Sequence, residues 1–386
     1  MDSRRATITD AKPESISLAR NSLGKILSFA DIRADGSRPW DLRVHDDRFY
    51  ARVLANGTLG LGESYMDGWW DCDALDEMCC RATRARLEER FSLSFQTVIS
   101  LAASVLFNLQ SKHRSRHVGK RHYDLGNDFF EAMLDPWMQY SCAYFRDTTD
   151  LVEAQKLKMD LICRKLGLKA GMRLLDIGCG WGGLAKYAAR HHACQVVGIT
   201  ISREQHAYAQ AACRGLPVEI RLQDYRDVSE PFDRIVSVGM MEHVGYKNYR
   251  AYLESAWRCL KDGGLFLCQT IGGEKSITRT DPWINRYIFP NSMLPSASQV
   301  ARAAEGLFVL EDAHNFGPDY DRTLLAWEKN IHGAWTRFAD HYGERFLRMW
   351  RFYLLTCAGA FRARSIHLFQ FLLSKGGVEG GYVPVR

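Results

Sequence analysis

Apolar runs alternate with stretches of helical periodicity along the second part of the chain. From about residue 116 onward, helical patterns over residues 181–191, 202–214 and 247–260 separate the runs MRLLDIG, QVVGIT, VEIRLQD, FDRIVSVG and GLFLCQTI. This alternation is typical of a parallel sheet covered by helices. Because ligands of such folds bind beyond the carboxyl ends of the strands, we expect the functional site there.

The first part of the chain has a different pattern of apolar and polar residues. Residues 1–115 have mostly helical patterns, with one glycine-broken, aromatic-rich stretch, NGTLGLGESYMDGWWDCD, over residues 56–73. We expect this stretch to be a compact turn whose Trp69 and Trp70 pack in the core. A chain of 386 residues exceeds one typical domain. The sequence therefore predicts a smaller helical domain over residues 1–115 and an α/β domain over residues 116–386.

The stretch FSLSFQTVISLAASVLFNLQS, residues 91–111, is a candidate membrane-binding helix. It has no charged residue, but a polar stripe at three- and four-residue steps predicts an amphipathic helix and not a spanning one. The stripe consists of Thr97, Ser100, Ser104, Asn108 and Ser111. Basic clusters over 81–90 and 112–121 could attract anionic lipid head groups. Packing inside the helical domain is an equal alternative, and nucleic acid is a weaker one because no nucleic-acid-binding motif is present.

Composition excludes two kinds of scaffold. The eleven cysteines are odd in number and include no C-x-x-C pair, which argues against a zinc cage and a closed disulfide framework. The N-terminus MDSRRATITDAKPESISLAR lacks the apolar segment of a signal peptide. The net charge of +6 is modest. We therefore expect no metal, a reducing compartment and a cytosolic protein.

A glycine-rich turn joins a buried strand to a helix at LLDIGCGWGG. Gly178, Gly180 and Gly183 match G-x-G-x-x-G, in which glycine permits a tight turn and lets backbone N–H groups approach a ligand. The pattern fits a nicotinamide dehydrogenase, an S-adenosylmethionine methyltransferase or a purely structural turn. A dinucleotide site needs an acidic side chain about twenty residues further on to hold the ribose. There the strand QVVGIT ends at Thr200 without one.

Residues near this turn favour the methyltransferase interpretation. Asp176 precedes the first glycine, where a carboxylate could balance the amino group of a methionine-derived cofactor. Asp224 ends the third strand, in a position suited to the adenine amino group. SVGMMEHVG then places a carboxylate and an imidazole at the open edge of the sheet. The combination predicts S-adenosylmethionine as the cofactor.

These motifs also carry a family resemblance. The chain resembles the cyclopropane fatty acid synthase family over nearly its whole length, most closely the long bacterial form with an N-terminal domain. The matching stretches are GESYMDGWWDCD, HYDLGNDFF, LDPWMQYSCAYF, LLDIGCGWGGLA, GITISREQ, QDYRDV, FDRIVSVGMMEHVG, DPWINRYIFPN, HNFGPDYDRTLLAW and CAGAFRAR. The resemblance implies a Rossmann-like class I S-adenosylmethionine-dependent methyltransferase domain, with a mostly parallel seven-stranded sheet flanked by helices, and a smaller, mainly helical N-terminal domain. It also implies methyl transfer to the cis double bond of unsaturated phospholipid acyl chains, followed by closure of a cyclopropane ring.

The resemblance further implies where the cofactor binds. In the family, the second strand ends in a Thr-x-Ser segment, and neutral hydroxyl, amide and backbone groups do the work of the missing acid. Carried onto this sequence, the cofactor residues are Tyr140, Ser141, Asp176, Gly178, Cys179, Gly180, Gly182, Thr200, Ser202, Gln205, Asp224 and Tyr225.

Ring closure requires loss of a proton, and the resemblance implies bound bicarbonate as the base. Its implied ligands are Cys142, Glu242, Gln269, Tyr320 and the backbone of Ile271. Position 269 is usually histidine in the family; because an amide donates a hydrogen bond but does not titrate near neutral pH, we expect weaker or less pH-dependent bicarbonate binding. Cys357 matches a family cysteine suspected of catalysis, but direct methyl transfer needs no covalent intermediate, which favours a structural thiol.

A carbocation on the acyl chain would be stabilised by aromatic faces. The candidates, each equally compatible with plain core packing, are Trp137, Tyr140, Tyr144, Phe145 and Phe289. The resemblance also implies a homodimer and peripheral association with the inner face of the cell membrane, with anionic lipid favoured. Three alternatives stay open: a methyl-branching fatty-acyl methyltransferase, a lipid-binding homologue that has lost catalysis through Gln269, and the dehydrogenase.

Overall fold

The N-terminal part of the structure, a computed structural model that describes residues 13–90 and 125–386, is helical as expected. Its elements are α1 (Pro13–Ser28), β1 (Arg43–Val44), α2 (Arg48–Met66), β2 (Trp70–Asp71), α3 (Leu75–Arg84) and a 3-10 turn at Leu87–Arg90. The candidate amphipathic helix over 91–111, the basic cluster over 112–121 and the domain boundary at residue 115 lie outside the described residues. They therefore stay predictions.

The compact turn expected over residues 56–73 is wrong for most of that stretch. Helix α2 continues through it to Met66, with a local break at Gly57, where φ is 54°. The later glycines serve close packing, because a Cβ at Gly62 would overlap the indole ring of Trp283. Trp70 is fully buried as predicted, whereas Trp69 lies partly exposed, 4.5 Å from the guanidinium of Arg48. Gly57 thus interrupts the helix with a kink, whereas Gly62 permits two elements to approach each other.

A single mostly parallel sheet of seven strands forms the second part, which confirms the predicted fold class. Its strands are β3 (Arg173–Ile177), β4 (Gln195–Thr200), β5 (Val218–Leu222), β6 (Phe232–Val238), β7 (Leu260–Gly273), β8 (Val309–Asn315) and β9 (Ile366–Ser374). Their order is β5-β4-β3-β6-β7-β9-β8. Strands β3 to β7 are parallel, and β9 pairs antiparallel with both β7 and β8. The carboxyl ends of β3, β4 and β6 therefore meet at one edge.

Helices cover the sheet and extend the structure beyond it. They are α4 (Asn127–Met133), α5 (Leu151–Lys165), α6 (Gly183–His192), α7 (Arg203–Ala212), α8 (Met241–Val244), α9 (Tyr249–Cys259), α10 (Pro282–Tyr287), α11 (Ala297–Ala304), α12 (Pro318–Ala334), α13 (Ala339–Tyr342) and α14 (Glu344–Arg362). Side-chain caps start several of them: Asp150 accepts a hydrogen bond from the Glu153 amide, and Ser296 forms a capping box with Gln299. Across residues 13–90 and 125–386, no helix combines the length and apolar character needed to cross a bilayer.

The N-terminal helices share one hydrophobic core with α12 and α14. Fully buried Phe49 and Trp70 belong to the same cluster as Trp327 and Trp350. Helices α3 and α14 approach so closely at Gly359 that a Cβ there would overlap the carbonyl oxygen of Asp76. This packing brings side chains of α3 and α14 to one cavity, described below.

Replacing Gly359 should separate α3 from α14. We expect Gly359→Ala to lower the free energy of unfolding by about 1–3 kcal/mol, because the added methyl group meets backbone atoms that have no rotamer in which to move away. Gly333→Ala is the matched control: Gly333 lies exposed in α12 with open space around it, and alanine there should stabilise the helix by about 0.5–1 kcal/mol. Thermal melts followed by circular dichroism measure both; equal melting temperatures would contradict the close-packing argument.

Candidate active site

A cavity of about 200 Å³ lies at the carboxyl ends of β3, β4 and β6. All but one of the residues expected to bind the cofactor line it. These are Tyr140, Ser141, Asp176, Gly178, Cys179, Gly180, Thr200, Ser202, Gln205, Asp224 and Tyr225. Gly182 does not line the cavity: with φ of 81° it begins α6, where a Cβ would lie only 3.0 Å from the Cβ of Ala209. We call this space the cofactor cavity.

The glycine-rich turn shapes the floor of the cofactor cavity. Gly178 has φ of 80°, which disfavours residues with a Cβ, and its backbone amide donates to the carbonyl of Ile199. A Cβ at Gly183 would overlap the carbonyl oxygen of Trp137. The glycines therefore let the turn, β4 and the 137–141 segment converge around one ligand-sized space.

Asp176 gives this cavity its acidic group. The side chain is buried, and its Oδ2 has no hydrogen-bond partner in the described part of the chain. Burial raises the pKa of Asp176 to about 7, although the nearby Lys158 opposes the shift. An orphaned buried carboxylate oxygen in a cavity is suited to a ligand that brings its own cationic donor, such as an ammonium group.

The end of β4 holds a network of neutral polar groups. Thr200 Oγ1 donates to Gln205 Oε1 at 3.0 Å and accepts from the Ser202 amide at 3.2 Å. Ser202 Oγ caps α7 by accepting from the Gln205 amide. With its oxygen engaged, the Gln205 side chain presents its amide nitrogen as a donor. These residues can thus bind a ribose or an amino acid moiety without an acid.

Asp224 also lines the cavity, but its carboxylate is already bound. It accepts hydrogen bonds from Arg226 Nε at 2.8 Å and Arg226 Nη2 at 2.6 Å, and from the Arg226 amide. The neighbouring Tyr225 is buried, which raises the pKa of its hydroxyl to about 12. Arg226 thus fixes the Asp224 carboxylate at the cavity, and its role beside the adenine amino group stays a prediction.

A second cavity of about 690 Å³ adjoins the first. It extends from α3 and α14 to the ends of β6 and β7, and we call it the acyl cavity after the substrate that the family resemblance implies. Both cavities are lined by Tyr140, Ser141, Gly239, His243 and Phe289. These five residues are the shared wall. A group held in one cavity therefore faces a group held in the other across this wall.

The acyl cavity is also lined by all the residues that the sequence singled out for catalysis. These are Cys142, Glu242, Gln269, Ile271, Tyr320 and Cys357. Burial raises the pKa of Tyr320 well above its usual value, and the proximity of Cys142 and Tyr140 adds to the shift. Cys142 is fully buried, and its thiol donates to the carbonyl of Ala143.

Glu242 is the central acidic group of the acyl cavity. Its Oε1 accepts a hydrogen bond from the Ile271 amide at 2.6 Å. Its Oε2 is buried and has no hydrogen-bond partner within the described ranges, and burial raises its pKa to about 7. The Ile271 amide, expected to donate to an anion, is thus engaged by Glu242. What Glu242 offers to the cavity is its second oxygen, which carries the proton below neutral pH.

Gln269 has a partner that sequence reasoning missed. Gln370 lies directly opposite it on β9, and Gln370 Nε2 donates to Gln269 Oε1 at 2.9 Å. Both side chains are buried. With its oxygen engaged, Gln269 has its amide nitrogen as the available donor. A polar residue within the otherwise apolar run LFQFLL, residues 368–373, is the one signal in the sequence.

Cys357 lies at the α3 end of the acyl cavity, together with Cys79 and Thr83. Burial raises the pKa of the Cys357 thiol well above its usual value, and the adjacent Cys79 adds to this. A thiol that stays protonated is a poor nucleophile. Its environment favours a structural role, as the sequence suggested.

The sheet order, the glycine-rich turn and the cofactor cavity define a class I S-adenosylmethionine-dependent methyltransferase. The sequence model described as mycolic acid cyclopropane synthetase matches residues 110–371. The cyclopropane-fatty-acyl-phospholipid synthase of Escherichia coli (strain K12) is 56% identical over 362 residues, covering 94% of each chain. A probable fatty acid methyltransferase of Pseudomonas putida is 39% identical over 272 residues, covering 67% of this chain and 69% of that protein.

Solved structures agree with these relatives. The cyclopropane synthase MmaA2 from Mycobacterium tuberculosis superposes with a TM-score of 0.64 at 33% identity, covering 67% of this chain and 98% of that one. The mycolic acid cyclopropane synthase CmaA1, solved as a complex with SAH and CTAB, gives a TM-score of 0.63 at 34% identity, with the same coverage. The chain therefore belongs to the mycolic acid cyclopropane synthetase family.

The raised pKa of Glu242 should make the free energy of unfolding depend on pH. The folded state favours the protonated carboxyl, so this contribution to stability is fully present below pH 4.5 and is lost as the pH rises towards 7. Glu242→Gln removes the ionisation and keeps an oxygen for the Ile271 amide. We expect the variant to exceed wild type in free energy of unfolding by about 1–3 kcal/mol at pH 8, and by less than about 1 kcal/mol at pH 5.

Urea unfolding at pH 5 and pH 8 measures this difference. Glu254→Gln, on the exposed face of α9, is the control and should change stability little at either pH. A Glu242→Gln effect that is the same at both pH values would show that Glu242 titrates normally.

Proposed function

We propose that this enzyme transfers the methyl group of S-adenosylmethionine to the cis double bond of an unsaturated phospholipid acyl chain and closes a cyclopropane ring, with bicarbonate as the base. One observation carries the proposal: the cofactor cavity and the acyl cavity share five lining residues, so a methyl donor in one and a lipid chain in the other would lie side by side at the shared wall. The identity of 56% to the E. coli phospholipid synthase supports the substrate class.

The cofactor cavity fits S-adenosylmethionine. The orphaned Asp176 oxygen suits the ammonium group of a methionine moiety, and the Thr200–Gln205 network offers neutral donors for the rest. When bound, S-adenosylmethionine supplies an electrophilic methyl group. The chain's contribution is to hold that methyl group in line with the alkene, because an alkene is a weak nucleophile and gains most from orientation.

Aromatic residues of the shared wall can stabilise positive charge on the acyl chain. Tyr140 packs against Trp327 with ring centroids 5.2 Å apart, and its hydroxyl is hydrogen bonded to that of Tyr353. Phe289 packs edge-on against the same Tyr353. Because these contacts fix the rings, the rings can stabilise a nearby carbocation without reorganisation.

The end of the acyl cavity at Glu242 fits a small anion. Below neutral pH the protonated Oε2 of Glu242 is a donor without a partner among residues 13–90 and 125–386, and the Gln269 amide nitrogen is a second donor fixed in direction by Gln370. When bound there, bicarbonate supplies a base of moderate strength. Gln269 cannot exchange a proton with it, so proton transfer from this position is absent and the residue only orients the anion.

The opposite end of the acyl cavity fits a lipid head group. Exposed Arg84 and Arg86 line it, together with Lys275, which pairs with Glu89 at 3.3 Å. Guanidinium groups bind phosphate well. We infer that the phospholipid phosphate lies at this mouth while the acyl chain extends towards Glu242. Peripheral docking to the inner face of the membrane, favoured by anionic lipid, and the homodimer belong to the same proposal.

Labelled methyl donor and vesicles of monounsaturated phospholipid test the reaction. We expect label in the lipid, ring protons of a cyclopropane in the NMR spectrum, and a rate that depends on added bicarbonate. Gln269→His should lower the bicarbonate concentration needed for half-maximal rate and introduce a pH dependence near about 6.5. Gln210→His, on the exposed face of α7, is the control.

Each alternative has its own result in this assay. Label in a methyl branch without ring protons would assign a branching methyltransferase instead. Cofactor binding without label in the lipid would show that the protein binds the cofactor but does not catalyse methyl transfer.

Kinetics with phospholipid vesicles test the head-group mouth. The double variant Arg84→Ala/Arg86→Ala should raise the concentration of anionic vesicles needed for half-maximal rate about 30-fold at low salt, because each basic residue contributes about 1 kcal/mol near an anionic surface. The effect should shrink at high salt. Arg302→Ala, exposed on α11 away from the mouth, is the control. A fall in kcat with unchanged vesicle dependence would place the head group elsewhere.

A further inference from the structure

A fully buried lysine lies behind the shared wall. Lys158 extends from α5, and its ammonium group donates to Gln139 Oε1 at 2.5 Å and to Ser141 Oγ at 2.9 Å. One turn earlier on the same helix, the side-chain nitrogen Nε2 of Gln155 donates to the backbone carbonyl oxygen of Ser141 at 2.9 Å. A charged side chain is rarely buried without a function or a compensating partner. Here its hydrogen-bond partners are neutral.

The hydrogen bond from Lys158 decides the direction of the Ser141 hydroxyl. An ammonium group can only donate, so Ser141 Oγ must accept from it. The hydroxyl proton of Ser141 then points away from Lys158. Ser141 lines both cavities, so its hydroxyl proton can be donated to a ligand there. The Gln139 amide is fixed in the same way: its oxygen accepts from Lys158, and its nitrogen donates to the Trp137 carbonyl at 3.2 Å.

The charge of Lys158 matters as much as its hydrogen bonds. Asp135 and Asp176 both lie close enough to favour its charged form, while burial lowers its pKa to about 8. Asp176 lines the cofactor cavity, so the floor of this cavity holds a carboxylate with a cation behind it. A zwitterionic amino acid moiety carries the complementary pair, an ammonium group and a carboxylate.

We propose that Lys158 is a positioning residue for the carboxylate of the cofactor's methionine moiety, acting through the Ser141 hydroxyl. The ammonium group polarises Ser141, which donates a strengthened hydrogen bond to the carboxylate, while Asp176 accepts from the cofactor ammonium. The inference rests on the proposed cofactor, but it concerns one end of that molecule only. Lys158 also fixes the segment of the shared wall that contains Tyr140.

Binding of two ligands, measured by calorimetry, separates this role from a merely structural one. The first is S-adenosylhomocysteine, and the second is its decarboxylated analogue, which keeps the ammonium group and lacks the carboxylate. We expect Lys158→Met to weaken the binding of S-adenosylhomocysteine about 10- to 100-fold. The affinity for the decarboxylated analogue should stay within about 3-fold of the wild-type value. Ser141→Ala should cause a similar selective loss, with little further loss in the double variant.

The controls use the same helix. Lys156→Met removes an exposed lysine of α5 that pairs with Glu153, and it should leave both affinities unchanged. Lys158→Gln keeps a hydrogen-bond donor for Ser141 but removes the charge, so its loss of affinity for S-adenosylhomocysteine should be intermediate. If Lys158→Met does not fold, Lys158→Gln replaces it in the comparison of the two ligands. Melting temperatures report on folding in each case.

Two results would overturn the inference. Equal weakening of both ligands by Lys158→Met would show that the lysine only holds the backbone in place. Unchanged binding of S-adenosylhomocysteine would show that it has no part in the site. Tight wild-type binding of S-adenosylhomocysteine without methyl transfer to lipid would instead contradict the proposed function and leave this inference standing.

Discussion

The 139–141 segment, which gives the shared wall its Tyr140 and Ser141, is held in place by buried polar side chains of α5, and the rest of the site depends on this contact. Gln155 binds the backbone carbonyls of residues 139 and 141, and Lys158 binds the side chains of the same two residues. Tyr140, between them, is consequently fixed from behind while its ring faces both cavities. A segment without regular secondary structure thus gains the rigidity that in-line methyl transfer requires.

Burial sets the charge state on both sides of this wall. Asp176 and Glu242 lie in separate cavities, and both have pKa values raised to about 7 because water is excluded from them. Each also has one oxygen without a hydrogen-bond partner in the described part of the chain. The difference lies in their neighbours: a lysine faces Asp176, whereas Glu242 binds the Ile271 amide. The first arrangement suits a zwitterion, and the second suits a small anion.

Local patterns in the sequence were enough for the sheet and for its glycine-rich turn, whereas the family resemblance supplied most of the candidate site residues that line the two cavities. Strands β3, β4 and β6 are short buried runs, and the residues at their carboxyl ends converge for topological reasons alone. The turn predicted over 56–73 is wrong for most of that stretch because only Gly57 kinks the helix, while Gly62 permits contact with Trp283. Gln370 and Lys158 were missed because their partners, Gln269 and Ser141, are distant in sequence. Such pairings depend on strand register and helix docking, which periodicity does not encode.

The central claim is that methyl donor and lipid chain meet at the shared wall. A crystal structure of the enzyme with S-adenosylhomocysteine tests it most directly. The account predicts the sulfur atom beside Tyr140 and Gly239, facing the acyl cavity, with the adenine towards Tyr225. A sulfur atom directed away from that wall, or a ligand bound outside the glycine-rich turn, would contradict it.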